Sequence, residues 1–103
     1  MLNVFKNLFS SAPEVDYAKL VNSGAMIVDV RSPGEFNSGH INGSINIPLE
    51  EIKNKSGELK KKNKVIITCC RSGNRSGIAK SILDNQGIEC YNGGAWNVLD
   101  HKI

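Results

Sequence analysis

The sequence predicts an α/β domain, a small parallel sheet with helices on both of its faces. Three observations carry this. AMIVDV (25–30) and KVIITC (64–69) are short, nearly unbroken apolar runs rich in β-branched residues, as expected of strands buried on both sides. The segments between such runs have helical rather than alternating periodicity. The order is strand, helix, strand, helix, which is the pattern of a parallel sheet covered above and below. At 103 residues there is room for one core. Residues 12–103 are therefore expected to form a single domain, preceded by a short N-terminal segment, 1–11.

That segment places Leu2, Phe5, Leu8 and Phe9 on one helical face. Asn3, Lys6 and Asn7 interrupt it too often for a signal peptide, and an amphipathic segment packed on the domain is the expectation, with partner docking as the alternative. Asp16 then reads as an N-cap for a helix bearing Tyr17, Leu20 and Val21 and ending at Gly24. After the AMIVDV strand, RSPGEF places Pro33 in the first turn of a brief helix. Asn42-Gly43 marks a turn, and SINIPL (44–49) a short strand stopped by Pro48. The lysine-rich stretch 49–64 reads as a solvated helix and loop. KVIITC is the central strand. A helix follows over 76–85 with Ile78, Ala79, Ile82 and Leu83 inward and Gly87 beyond its end. IECYN (88–92) is a last strand, leading through Gly93-Gly94 to a closing helix at Trp96.

Composition narrows the function. A chain 40% apolar and 22% charged is ordinary for a globular domain. The net charge of +3 rests on ten lysines and three arginines, with no basic stripe interleaved with aromatics, so nucleic acid is not the expected partner. No run is long enough to span a membrane. The three cysteines are an odd number, and two are adjacent, which favours a reducing cytoplasm over a disulfide framework. There is no C-x2-C pair, and neither His40 nor His101 has ligand spacing, so no metal or cofactor is expected.

Two of the three arginines flank one stretch, TCCRSGNRS (68–76), and their placement points to an anionic substrate bound locally. The stretch joins the central strand to a helix, the end of a parallel sheet at which ligands bind. Gly73 permits a tight or left-handed turn. A loop curled there turns N–H groups inward, and the following helix adds its positive end. A cysteine in such a cradle, near Arg71 and Arg75, should be a thiolate near neutrality without any histidine. Two registers compete. Cys69 closes a C-x5-R ring at Arg75, and Cys70 a C-x4-R ring. A cysteine inside an apolar strand is ordinarily a small hydrophobe, which suits Cys69 and Cys90. Cys70, followed by Arg71 and Ser72 where the apolar run ends, is the better nucleophile.

CRSGNRS, VDVRSPGEF (28–36), GHINGSINIP (39–48) and GGAW (93–96) occur in fitting order and separation, and together they resemble the rhodanese sulfurtransferase family over about residues 14–100. The resemblance implies a mainly parallel five-stranded sheet and a six-residue active loop running from Cys70 through Arg71, Ser72, Gly73 and Asn74 to Arg75. It implies that Cys70 takes a sulfane sulfur from a donor such as thiosulfate, a polysulfide or a persulfide. The resulting persulfide passes to cyanide or to a thiol, small or on a protein. Asp29, Arg31 and Glu35 take supporting roles, with Arg31 paired to Glu35 to order the neighbouring loops. His40 is expected to be a structural hydrogen-bonding residue and Trp96 to pack the closing helix.

Two other readings stay open. A rhodanese-like phosphatase or arsenate reductase would use the longer ring from Cys69, although Thr68 stands where such enzymes have histidine. A non-catalytic module would carry a persulfide or dock to a partner through the N-terminal apolar face.

Overall fold

The computed structural model describes residues 14–103; the amphipathic segment expected over 1–11 lies outside them. Four strands form one parallel sheet in the order β2-β1-β3-β4: β1 (Met26–Asp29), β2 (Ile45–Asn46), β3 (Ile66–Cys70) and β4 (Cys90–Ala95). The helices are α1 (Tyr17–Asn22), α2 (Pro33–Ser38), α3 (Leu49–Lys61), α4 (Asn74–Asn85) and α5 (Trp96–Asp100). The expected count of five strands is corrected to four among the described residues. The remaining described residues are helix, turn, bend or unassigned runs of at most three residues, leaving none paired as a fifth strand.

Alternation along β1 and β3 splits the core into two layers. Val28, Ile66 and Cys70 face one side, where Ile52 and Leu59 of α3 and Ala79 and Leu83 of α4 cover them. Ile27, Ile67 and Cys69 face the other, against Leu99 and Trp96 of α5 and Tyr17 and Leu20 of α1. This is the expected sheet with helices on both faces.

Local chemistry sets the element ends. Asp16 caps α1, its Oδ1 accepting the Lys19 N–H at 3.1 Å. Ser32 and Glu35 form a capping box on α2, with Pro33 at its start. SINIPL contributes only Ile45–Asn46 to the sheet, because Pro48 becomes the cap of α3 and Leu49 begins that helix. Ile78, expected to point inward, is 54% exposed: α4 buries a narrow stripe of Ser76, Ala79 and Leu83. The β3–β4 register shifts after Thr68↔Asn92 to Cys70↔Ala95, so β4 carries one extra residue there. Gly93 occupies that point because a Cβ would lie 2.8 Å from Leu99 Cδ2 and 2.9 Å from both Ile67 Cγ2 and the Thr68 carbonyl oxygen.

Candidate active site

β3 starts two residues later than KVIITC implies and ends one residue later, so Cys70 rather than Cys69 ends the strand. Arg71 and Ser72 bend away, Gly73 turns the chain at φ 100°, and α4 begins at Asn74. That left-handed turn is the one a glycine adopts without strain. It swings the Gly73 N–H back onto Cys70 Sγ at 2.9 Å. Ser76, one turn into α4, places its Oγ 3.3 Å from the same sulfur. Cys70 is 1% exposed, at the floor of a cradle formed by residues 70–75.

The three cysteines differ sharply in electrostatics. Burial alone would push the Cys70 thiol up. The Ser76 hydroxyl and the N–H groups of Ser76, Gly73 and Ser72 outweigh it, and the thiol lies below its ordinary value. Hydrogen bonds to the sulfur lead this effect, where the sequence pointed equally to the guanidiniums. Burial pushes Cys69 up to about 12, with the Asp29 carboxylate adding to it, and pushes Cys90 up to about 11. Cys69 is fully buried in the opposite core layer, turned away from the loop.

The supporting residues do not pair as expected. Arg31 does not reach Glu35. It lies against Asp29, whose two carboxylate oxygens accept its Nε at 3.0 Å and, at Oδ2, its Nη2 at 2.7 Å. Arg31 Nη2 also donates to the Gly39 carbonyl at 2.6 Å, and its guanidinium sits 4.8 Å from the Trp96 ring centroid. Arg31 precedes α2, whose cap is Ser32, and its guanidinium is held instead by the Asp29 carboxylate and the Gly39 carbonyl. Glu35 instead clamps Arg75 across the loop, Nη1 to Oε1 at 2.7 Å and Nη2 to Oε2 at 3.0 Å. That guanidinium, helped by the Ser32 N–H, holds the Glu35 carboxyl at about 2. Arg71 is exposed and meets no carboxylate among the described residues. Ser72 and Asn74 line the exposed side of the loop. His40 contacts the Phe36 carbonyl oxygen through Nδ1 at 2.8 Å and stacks on the Phe36 ring, a structural role as expected.

Asn92 is the residue that sequence reasoning missed. Its Nδ2 donates to the Gly73 carbonyl at 3.1 Å, and its Oδ1 accepts from the Ser76 hydroxyl at 2.7 Å and from the Gly94 N–H at 3.0 Å. It thus ties both sulfur-binding groups to β4. The only local signal was an Asn before Gly-Gly, which reads as a turn.

Among the described residues no group of three or more His, Cys, Asp or Glu side chains is placed to hold a metal ion, and no helix is long and apolar enough to cross a membrane. A surface cleft of about 310 Å³ lies at Lys64, Val65 and Glu89, where β3 and β4 begin. That is the opposite end of the sheet from the cysteine loop.

The molecule is an α/β domain whose parallel sheet holds a cysteine of lowered pKa in a loop at a strand's carboxyl end, where such sheets bind ligands. The chain belongs to the rhodanese-like domain family, whose model matches residues 14–98. It is 39% identical over 61 residues to the thiosulfate sulfurtransferase PspE of Escherichia coli, covering 58% of this chain and 59% of that one. It is 34% identical over 85 residues to the putative sulfur carrier protein YrkF of Bacillus subtilis, covering 78% of this chain and 45% of YrkF. The chain therefore spans only about half the length of these relatives. A solved rhodanese with anions from E. coli superposes with a TM-score of 0.65 at 34% identity, covering 72% of this chain and 89% of that one.

Proposed function

We propose that this domain is a rhodanese-type sulfurtransferase with Cys70 as its sulfur-carrying nucleophile. The observation that carries the reading is the contrast among the cysteines. The Cys70 thiol is lowered by the Gly73 N–H and Ser76, while the Cys69 and Cys90 thiols are pushed up to about 12 and about 11. The Cys70 thiolate attacks the outer sulfur of a donor, a new S–S bond forms, and the donor's S–S bond breaks onto its leaving group. With thiosulfate the balance is Cys70–S⁻ + S–SO₃²⁻ → Cys70–S–S⁻ + SO₃²⁻. A thiophilic acceptor, cyanide or a thiol, then takes the outer sulfur and regenerates the thiolate. Loop N–H groups stabilise the anionic sulfur in both states. Because Cys70 is 1% exposed, the donor sulfur arrives end-on through the loop. Cys69, in the far core layer, is poorly placed for the phosphatase register.

The similarity to YrkF favours a second reading, in which the same persulfide is carried to a partner protein. Intact-protein mass spectrometry after donor treatment tests the shared step. One added sulfur is expected on Cys69→Ala and none on Cys70→Ala, whose turnover should fall by at least about a thousandfold. Sulfur retained on Cys70→Ala would refute the assignment.

A further inference from the structure

The three arginines of this chain are not equally available to a substrate. Arg31 is spent on the buried Asp29 carboxylate. Arg75, which belongs to the loop, turns two of its N–H-bearing nitrogens onto Glu35, at 2.7 and 3.0 Å. Arg71 remains exposed, with no carboxylate partner among the described residues. At the mouth of the loop the charges nearly cancel: a thiolate and Glu35 against Arg71 and Arg75. An incoming dianion finds one unpaired guanidinium, and it must approach a thiolate and a carboxylate.

We propose that Glu35 is a specificity-determining residue: by neutralising Arg75 it sets the loop against dianionic sulfur donors and in favour of donors that bring less negative charge to the transferable sulfur, of which an alkyl persulfide reacting in its protonated form is the chemical class. The inference rests on the sulfurtransferase reading of Cys70. The favoured step is Cys70–S⁻ + R–S–SH → Cys70–S–SH + R–S⁻. The thiolate lone pair forms the new S–S bond, the donor's S–S pair departs on the alkyl thiolate, and the proton stays on the transferred sulfur. No charge accumulates at the loop, whereas thiosulfate brings two negative charges and leaves with two. Glu35 has two jobs: its Oε1 serves the capping box of α2 through the Ser32 N–H and hydroxyl, and both of its oxygens hold Arg75.

Glu35→Gln separates the two jobs. The amide oxygen still accepts from Ser32, since glutamine serves in a capping box, but the charge that neutralises Arg75 is gone. The readout is the ratio of kcat/KM for thiosulfate to kcat/KM for glutathione persulfide. Glu35→Gln should raise that ratio at least about tenfold, chiefly through a lower KM for thiosulfate, because one unit charge is worth that much at contact range in a partly wet site. Arg71→Ala, at an exposed position with no fold role, should lower the ratio about tenfold, as expected for loss of the one unpaired guanidinium. A purely structural Glu35 would slow both donors alike, and an unchanged ratio in Glu35→Gln overturns the inference whatever Arg71→Ala does. If neither donor loads sulfur onto Cys70 of the unsubstituted protein, the sulfurtransferase reading itself fails, and that outcome is distinct from a flat ratio.

Discussion

Cys69 and Cys70 are consecutive residues of one strand and occupy different chemical worlds. Cys69 faces a layer of Ile27, Ile41, Ile67 and Leu99, where nothing polar offers its sulfur a proton. Cys70 faces the layer under α3 and α4, but at its very edge, where the chain turns and the start of α4 supplies N–H groups and Ser76. Both are nearly fully buried, so exposure does not separate them. Reactivity follows from which hydrogen-bond donors a buried sulfur meets.

The two faces also use charge differently. On the Cys69 face Asp29 and Arg31 form a buried pair that fastens β1 to the Gly39 loop and lies against Trp96. Asp29→Ala would strand the guanidinium and should cost about 3–5 kcal/mol in urea unfolding. The Cys70 alkylation midpoint should move far less in that variant than in Ser76→Ala. An equal move would show that the faces are coupled. Ser76→Ala removes a hydrogen bond to an anionic sulfur, so turnover should drop about tenfold at modest cost in stability. Its pH profile carries the sign. Cys70's pKa is depressed in the fold, so its alkylation rate rises at lower pH than an ordinary thiol's and levels off above that pKa. Losing Ser76 must shift the rise toward higher pH, and an unmoved profile would leave the N–H groups as sole cause. The smallest effect belongs to Ile78→Lys on the outer surface of α4, expected to change unfolding free energy by under about 0.5 kcal/mol.

Much of this was legible from residue types. The β-branched run gave β3, Asp16 and Pro33 gave helix starts, and Gly73 gave the turn. These depend on local conformational preference, which travels with the residue. The charge pairing was not legible. Arg31 was expected to pair with Glu35 between neighbouring loops, while the true partners are separated by two residues and by forty. Asn92 lies sixteen residues from Ser76, and its contact depends on a strand register that shifts beside it. Such contacts are set by how the layers meet, which no window of sequence contains. Ile78 failed for a related reason: its periodicity was right, but α4 buries only the stripe of Ser76, Ala79 and Leu83 and leaves that flank to solvent.

The Glu35 carboxylate holds the start of α2 through Oε1 and the Arg75 end of the loop through Oε1 and Oε2. Its anionic form is kept down to about pH 2, so this joint contribution to stability is present above the ordinary carboxylate range and is lost progressively as the pH falls from that range through about 2. The consequence is kinetic. The first turn of α2 cannot fray without freeing Arg75, so its amide hydrogens and those at the start of α4 belong to one opening unit and exchange with solvent together. A helix of six residues thereby sets how often the sulfur site loosens.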